Sequence, residues 1–329
     1  MFNPIETTLL KTYLDKMRSI QLNFLNKYNV NDIWSNSKIF EIIIANQLGH
    51  ILIPGHSGSK DAKDKHGNIF EYKHYKEGSS NHTWTFNDYS ATTIKELKTI
   101  KSVIFAHIED PATFDWYYEV PGKVIAKHLY NITIKSTNKR KMWNVSRAQI
   151  ENTLGYKKIN TNKKITHDGA YYKDLKSIFK VIKELEDVTG ISNLLTSNKL
   201  WELVVAAALN HNVNSEQGGR AGAHDAFDKD GNLFEYKVAK NYSWNFQDIS
   251  ENVLKKYYAD KSIILAVVDK NKLEIKNIFS APPNKVVPRL KKKLKEKRAR
   301  FKAKGKALRR LQVSLSRGDL KRISAKNMS

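Results

Sequence analysis

The sequence DAKDKHGNIFEYK occupies residues Asp61–Lys73, and a close copy, DAFDKDGNLFEYK, occupies residues Asp225–Lys237. In each copy a glycine, Gly67 or Gly231, separates a polar segment from the apolar-rich segment that ends in Glu-Tyr-Lys. A polar residue followed by glycine, between two short strand-like segments, is typical of a β-hairpin. The two stretches therefore predict two hairpins of the same design within one chain.

The similarity extends over most of the chain, because other blocks recur in the same order. They are KIFEIIIANQLGH at 38–50 with KLWELVVAAALNH at 199–211, TWTFNDYS at 83–90 with SWNFQDIS at 243–250, SVIFAHIED at 102–110 with SIILAVVDK at 262–270, and WNVS at 143–146 with LQVS at 311–314. A repeat of this length is far longer than the ~20–50 residues of solenoid repeats. We infer a tandem duplication whose boundary lies in the polar stretch 155–169, which gives repeats over residues 1–160 and 161–329.

Composition limits the class of protein. The chain has 329 residues, a formal net charge of +24 and no cysteine. The absence of cysteine excludes disulfides, cysteine-ligated zinc and cysteine nucleophiles. The positive charge favours a polyanionic partner such as nucleic acid. No apolar run approaches the ~18 residues that a membrane span requires, so we expect a cytoplasmic protein that does not bind a membrane.

Each repeat shows the same pattern of predicted elements. In the second repeat, residues 197–209 predict a helix with Ser197 or Asn198 as N-cap, and residues 225–227 and 233–238 predict the two strands of the hairpin. Ser250 predicts a helix start, and the continuous apolar run 262–268 predicts a strand buried on both faces. The order helix, strands, helix, strand indicates an α/β fold with a mixed central sheet flanked by helices in each repeat.

Four ionisable positions recur in fixed order. They are Glu41, Asp61, Glu71 and Lys73 in the first repeat, and Glu202, Asp225, Glu235 and Lys237 in the second. Residues two apart on a strand point to the same face, and the hairpin returns each aspartate to the glutamate of the next strand. Carboxylates that converge repel one another unless a hard cation neutralises them, and oxygen ligands favour Mg²⁺, with Mn²⁺ as a substitute. The lysine would then stabilise developing negative charge or help to activate a water.

This arrangement resembles the PD-(D/E)XK nuclease superfamily, which has the restriction-endonuclease-like fold. The resemblance rests on Asp61 with Glu71-Tyr72-Lys73 and on Asp225 with Glu235-Tyr236-Lys237. It implies metal ligation by the two acids, by the helical Glu41 or Glu202, and by the backbone carbonyl of Tyr72 or Tyr236. The residue before the aspartate is Lys60 or His224, where the superfamily pattern has proline.

The resemblance also implies an activity and partners. It implies Mg²⁺-dependent hydrolysis of DNA, and two repeats imply a single-chain, monomeric pseudodimer with one active site for each strand of a duplex. A type II restriction endonuclease, with a cognate DNA methyltransferase as its partner, is the leading hypothesis. The alternatives are a repair, junction-resolving or homing nuclease, and a DNA-binding protein without catalysis.

Several features have competing interpretations. Asp64 and Asp228 compete with Asp61 and Asp225 as metal ligands, but they lie nearer the turn, where aspartate commonly accepts hydrogen bonds from its own backbone. The recurring aromatic pairs are interpreted as core residues, with stacking on a base as the alternative. These pairs are Trp84 and Phe86, and Trp244 and Phe246.

The segment 289–310 is strongly basic. It contains 13 Lys or Arg residues and a single acid, Glu296. Such a run favours a phosphate-binding helix or arm, and Leu290, Leu294 and Phe301 give it an apolar stripe that could pack on the domain. The predicted DNA contacts are Lys123, Lys285, Arg289, Lys292, Lys293 and Arg298.

Overall fold

The computed structural model describes residues 7–30, 32–34, 38–54, 60–77, 82–87, 89–110, 113–135, 142–164, 167, 169–192, 194–195, 198–214, 224–247, 249–305 and 311–328. Contacts divide the chain into two compact units, which we call the N-terminal unit (residues 20–181) and the C-terminal unit (residues 1–19 and 182–329). The divisions fall within the helices Thr7–Tyr28 and Tyr172–Thr189.

The first half of the chain contains four α-helices and eight strands among its described residues. The helices are α1 (Thr7–Tyr28), α2 (Lys38–Leu48), α3 (Ala91–Leu97) and α4 (Gly122–Lys135), with a π-helical turn at Gln149–Thr153. The strands are β1 (Ile51–Leu52), β2 (Ala62–Lys63), β3 (Ile69–Lys76), β4 (Trp84–Phe86), β5 (Ser102–Asp110), β6 (Thr113–Pro121), β7 (Trp143–Val145) and β8 (Ile159–Lys164).

The second half repeats this order element by element. Its described helices are α5 (Tyr172–Thr189), α6 (Lys199–Leu209), α7 (Glu251–Lys256) and α8 (Pro283–Ala303), with 3₁₀ turns at Tyr257–Ala259 and Arg317–Asp319. Its described strands are β9 (Asn212–Val213), β10 (Ala226–Phe227), β11 (Leu233–Ala239), β12 (Ser243–Phe246), β13 (Ser262–Asp269), β14 (Glu274–Ala281), β15 (Val313–Ser316) and β16 (Lys326–Asn327).

The two halves build the same sheet. In the N-terminal unit the strand order is β1-β2-β3-β5-β6-β8, and in the C-terminal unit it is β9-β10-β11-β13-β14-β16. The pairs β3–β5 and β11–β13 are parallel, and all other neighbours in these sheets are antiparallel. A separate antiparallel pair, β4–β7 or β12–β15, accompanies each sheet. The predicted α/β architecture, a mixed sheet flanked by helices in each half, is confirmed.

The apolar run SIILAVV forms the centre of the C-terminal sheet. All of its residues are buried in β13, between the parallel strand β11 and the antiparallel strand β14. The register sets Glu235 opposite Ile263, and in the N-terminal unit it sets Glu71 opposite Val103. Each glutamate of the repeated motif therefore lies on a strand next to the most apolar strand of its unit.

The quoted hairpins form as the sequence predicts. Ala62 pairs with Phe70, and Ala226 pairs with Phe234. Gly67 and Gly231 have φ angles of 80° and 77°, in the left-handed region that glycine adopts without steric cost. This requirement explains why glycine is the residue at both turns.

The predicted helix starts agree with the structure in position. The Ser250 hydroxyl accepts a hydrogen bond from the Val253 N–H, and Ser90 has the same role at α3. However, α6 begins at Lys199, and the Asn198 side chain makes no capping hydrogen bond, while Ser197 lies outside the described residues. Asn198, one of the two predicted residues, is thus the N-cap of α6, although its side chain does not cap the helix.

The structure corrects the alignment of one repeated block and shows where the order of elements begins again. Trp84 pairs with Val145, and Trp244 pairs with Leu315, so Val145 corresponds to Leu315 and the alignment of WNVS with LQVS is shifted by two residues. Strand β8 runs across the expected boundary at 160/161, and the element order starts again at α5. The division into repeats 1–160 and 161–329 remains a prediction about the origin of the chain.

The basic helix α8 is anchored on the C-terminal unit by two kinds of contact. Val286, Val287, Leu290 and Leu294 are buried in its core. On a neighbouring face the buried Asp319 carboxylate accepts hydrogen bonds from Arg289 (Nε–Oδ1, 2.7 Å) and from the Lys293 ammonium. The packing of Leu290 and Leu294 was expected, whereas the third residue of the predicted stripe, Phe301, is only partly buried and the buried ion pair was not expected.

We expect Asp319→Ala to destabilise the C-terminal unit by about 3 kcal/mol, because it leaves two cations without their buried partner. Urea denaturation followed by tryptophan fluorescence would measure the change. Glu251→Ala is the control, since it removes an exposed pair with Lys291 on the same helix and should change stability little. Equal effects of the two substitutions would contradict the structural role of Asp319.

Candidate active site

The repeated aspartate occupies the point where hairpin pairing stops. The Asp61 N–H donates to the Phe70 carbonyl (2.9 Å), and one residue pair later the Tyr72 N–H donates to the Asp61 carboxylate (2.6 Å). In the C-terminal unit the Tyr236 N–H donates to the Asp225 carboxylate at 2.8 Å. The aspartate side chain thus pairs with a backbone N–H that the short strand β2 or β10 does not reach. This hydrogen bond holds the aspartate carboxylate beside the Glu-Tyr-Lys motif.

The glutamate and the lysine of the motif form an ion pair along one face of the strand. The Lys73 ammonium bonds the Glu71 carboxylate, and the Lys237 ammonium bonds the Glu235 carboxylate. Side chains two residues apart on a strand share a face, so the sequence spacing predicts this contact. Among the residues that the structure describes, Glu71 Oε2 is buried without a hydrogen-bond partner.

The aromatic ring of a neighbouring strand covers each lysine. Lys73 Nζ lies 5.1 Å from the ring centre of Phe86, and Lys237 Nζ lies 5.7 Å from that of Phe246. Both rings are buried, which agrees with their interpretation as core residues, and a cation above an aromatic face is attracted to it. The sequence reasoning missed this role, although the spacing of the aromatic pairs relative to the motif recurs in both repeats.

The helical glutamates face the same cluster. Lys38 bonds the Glu41 carboxylate, and Lys199 Nζ lies 2.7 Å from Glu202 Oε2. Burial and repulsion from Asp61 raise the pKa of Glu41 to about 7, and burial and Asp225 raise the pKa of Glu202. In both units the aspartate and the lysine of the motif therefore interact electrostatically with the helical glutamate and with the strand glutamate.

Burial also controls protonation of the central pair. It raises the pKa of Glu71 to about 8 and that of Glu235 to about 7, and the aspartate beside each adds to the shift while the lysine opposes it. Burial would lower the pKa of Lys73 and Lys237, but the adjacent carboxylates more than offset that effect and raise it. The lysines thus remain cationic at neutral pH, whereas each glutamate forms the ionic pair only above its raised pKa and donates a hydrogen-bonding proton below it.

A histidine supports the strand from its opposite face. His50 Nδ1 lies 2.8 Å from the Tyr72 hydroxyl and His211 Nδ1 lies 2.8 Å from the Tyr236 hydroxyl. The His50 ring stacks on Phe70 with 4.2 Å between ring centres. Each motif tyrosine is therefore held through its hydroxyl on one side, while its N–H holds the aspartate.

The competing aspartates belong to the turn. Asp64 Oδ1 accepts from the His66 N–H and the Asn68 N–H, both at 2.9 Å, and Asp228 makes the corresponding contacts with Asp230 and Asn232. Hydrogen bonds from Asn68 lower the pKa of Asp64 to about 2. The carboxylate of Asp64 is thus engaged in hydrogen bonds within the turn. The carboxylate of Asp61 instead interacts electrostatically with Glu41 and Glu71.

In the C-terminal unit the four groups line an open cleft. Its volume is about 540 Å³, and its wall includes Glu202, Asp225, Glu235 and Lys237. Polar residues of β12 and the following loop, among them Asn245, continue the wall. The cleft gives a ligand access to the acids from outside the unit.

Three further polar groups distinguish the C-terminal site. His224 Nδ1 lies 2.6 Å from the buried Asp260 Oδ1, and Tyr257 lines the cleft. Burial raises the pKa of Asp260 to about 6 and that of Tyr257 to about 12. The N-terminal unit has other residues at these positions. Lys60 corresponds to His224, because each precedes the repeated aspartate. Leu97 and Ile100 correspond to Tyr257 and Asp260, counted from the helix caps Ser90 and Ser250.

The predicted DNA contacts fall into two groups. Lys123, Lys285, Lys292 and Arg298 are exposed. Arg289 and Lys293 are mostly buried and bond Asp319. The structure thus leaves four of the six side chains at the surface and engages two of them in a structural ion pair.

The donor set was compared with what a divalent cation needs. No group of three or more His, Cys, Asp or Glu side chains in the described part of the chain is arranged to hold a metal ion. Mg²⁺ commonly takes only one or two protein carboxylates and completes its shell with water and substrate phosphate. Asp61 with Glu71, whose second oxygen is buried without a hydrogen bond, and Asp225 with Glu235 fit that requirement.

Comparison with known proteins gives no further assignment, since no protein-family model matches the chain and no curated protein matches it either. Within the described residues no helix is long and apolar enough to cross a membrane. The two sites themselves therefore provide the evidence for function.

If Asp61 and Asp225 are metal ligands, Asp61→Asn combined with Asp225→Asn should abolish Mn²⁺ binding, because each substitution removes one of the two carboxylates that fit a metal ion in its unit. Asp64→Asn combined with Asp228→Asn is the matched control, which should lower the melting temperature through the turns but leave Mn²⁺ binding in place. Electron paramagnetic resonance of free Mn²⁺ would measure both. Loss of binding in the control alone would assign the metal to the turn aspartates.

Proposed function

We propose that the chain is a Mg²⁺-dependent DNA endonuclease with one active site in each unit. The observation that carries the proposal is the recurrence of one arrangement in two diverged halves. In both, an aspartate accepts a hydrogen bond from the tyrosine N–H of Glu-Tyr-Lys, the glutamate and lysine pair with each other, and a helical glutamate faces them. An ion pair with a purely structural role would not need the aspartate and the helical glutamate as well, and both recur in each unit.

The fold supports the same assignment. Each motif lies on the second strand of a short antiparallel hairpin. That strand runs parallel to the central buried strand. This position of the acids and the lysine agrees with the resemblance to the PD-(D/E)XK superfamily. We therefore propose the restriction-endonuclease-like fold for each unit, and a single-chain pseudodimer as the working form.

Each side chain has a distinct role in the proposed reaction. Asp61 and Glu71, or Asp225 and Glu235, would hold Mg²⁺ or Mn²⁺, with Glu41 or Glu202 and the carbonyl of Tyr72 or Tyr236 close to that site. When bound, the metal ion would neutralise phosphate charge and acidify a bound water. Lys73 and Lys237 remain cationic and would stabilise the negative charge that develops on the scissile phosphate.

DNA is the substrate that the charge distribution supports best. The net charge of +24 coexists with acidic centres in both units, and duplex DNA needs two hydrolytic events, one on each strand. We propose a type II restriction endonuclease, with a DNA methyltransferase as its cellular partner. Discrete bands from a digested genome would support sequence-specific cleavage, whereas preference for branched substrates would support a junction-resolving nuclease.

The two-site proposal predicts a specific pattern on supercoiled plasmid with Mg²⁺. Asp61→Ala alone and Asp225→Ala alone should each give nicked circles, because one strand is still cut, and the double substitution should be inactive. Asp187→Ala, an exposed aspartate on α5, is the control and should linearise plasmid like the wild type. Linear product at the wild-type rate from either single variant would refute one site per strand.

The raised pKa values predict proton release on metal binding. Glu71 and Glu235, with pKa values of about 8 and about 7, must lose their protons to become ligands, so metal affinity should fall as the pH falls. The decrease should approach about tenfold per pH unit for each proton displaced. Calorimetry with Mn²⁺ in buffers of different ionisation enthalpy would count the protons. Affinity that is constant between pH 6 and pH 9 would contradict the burial of these acids.

A further inference from the structure

A second cleft lies beside the candidate active site, between α8 and β15. It has a volume of about 360 Å³, and Lys293, Glu296, Lys297, Arg300, Gln312 and Ser314 line it. We propose that this basic cleft binds a backbone phosphate of the DNA whose cleavage site lies in the neighbouring active cleft. The inference rests on the proposed function, and it assigns the phosphate binding predicted for the segment 289–310 to one cleft and its lining residues.

One face of α8 supplies the positive charge. Lys293, Lys297 and Arg300 are spaced four and three residues apart, which places them on the same side of an α-helix. They outnumber the one acid of the lining, Glu296. A concave surface with an excess of cations focuses positive potential and suits an anion of phosphate size.

The lining is held in place by contacts within the unit. The Lys297 ammonium donates to the Gln312 carbonyl (2.6 Å), and the Lys293 ammonium bonds the buried Asp319. Arg300 lines the cleft and is exposed. Its planar guanidinium can donate two parallel hydrogen bonds to a phosphate, whereas the two lysines contribute fixed positive charge below it.

The basic cleft and the active cleft share the two-stranded sheet β12–β15. Asn245 lines the active cleft, Ser314 lines the basic cleft, and the two residues are direct partners in the strand register. The Gln312 side-chain amide also donates to Asn245 Oδ1 at 2.8 Å. Adjacent strands lie ~4.8 Å apart, so a DNA strand in the active cleft would have a further phosphate within reach of the basic cleft.

The corresponding surface of the N-terminal unit differs at two positions. Pairing of β6 with β5 and of β14 with β13 sets Pro121 equivalent to Pro282, so Lys293 corresponds to Ile132. The register of β7 and β15 makes Met142 the counterpart of Gln312. Apolar residues thus stand where the C-terminal unit has Lys293 and Gln312, whereas the counterparts of Lys297 and Arg300 lie outside the described residues.

The test compares two charge reversals on opposite faces of α8. Arg300→Glu changes the cleft, and Lys295→Glu changes an exposed lysine on the other side of the helix. Binding of a fluorescent duplex of about 30 base pairs would be measured by anisotropy over a range of salt concentrations, without divalent metal so that no cleavage occurs. Glu296→Gln changes the charge of the cleft in the opposite direction, because it removes a negative charge. Circular dichroism would check that all variants fold.

We expect Arg300→Glu to weaken DNA binding about tenfold and to reduce the salt-dependence slope by about 1, as for the loss of one phosphate contact. Lys295→Glu should have a clearly smaller effect, and Glu296→Gln should strengthen binding. Equal losses for the two reversals would overturn the proposal in favour of diffuse attraction. Binding to phosphatidylserine vesicles that depends on Arg300, without DNA binding, would also overturn it.

The experiments distinguish failure of the phosphate site from failure of the proposed endonuclease activity. If the wild type binds DNA through Arg300 but cuts none with Mg²⁺ or Mn²⁺, the endonuclease proposal fails and the phosphate site stands. If the wild type cuts plasmid while Arg300→Glu and Lys295→Glu bind DNA equally, only the phosphate site fails.

Discussion

A lysine ammonium kept inside the protein by a glutamate on the same strand face is the constraint on which each unit depends. A charge removed from water is costly unless a partner and further polar or aromatic groups surround it. Lys73 and Lys237 meet this condition with a glutamate, with a nearby aspartate and with the ring of Phe86 or Phe246. The hairpin, the aromatic strand and the glutamate-bearing helix therefore have to assemble around one buried cation, and none of them can be moved independently.

The same constraint explains which parts of the repeat diverged. The residues around the buried pair are nearly identical in both copies, whereas the outer surroundings differ. His224, Tyr257 and Asp260 surround the C-terminal site, and the N-terminal unit has Lys60 and two aliphatic residues instead. The pairing of lysine with glutamate is the same in both units, so the differences among the neighbouring residues make the two sites chemically unequal.

Sequence patterns were sufficient for features that depend on local spacing. Strand alternation placed Glu71 with Lys73, the glycines at 67 and 231 marked the turns, and the run SIILAVV marked the buried strand. Contacts between distant segments were not predictable in the same way. Asp319 lies 30 residues from Arg289, and no periodic signal relates a 3₁₀ turn to a helix. The correspondence of Val145 with Leu315 likewise required the strand register, since the intervening segments of the two repeats differ in length.

The basic segment shows why charge counting alone does not identify a binding surface. All cations of α8 contribute to the net charge, but their partners differ. Arg289 and Lys293 bond a buried carboxylate, Lys291 pairs with an exposed one, and Lys297 donates to a backbone carbonyl. A cation already satisfied by the fold anchors the helix and gives only part of its field to a ligand. The helix therefore serves first as a structural element fixed by its apolar and ion-paired faces, and this fixation is what can hold an exposed guanidinium at a defined position beside the active cleft.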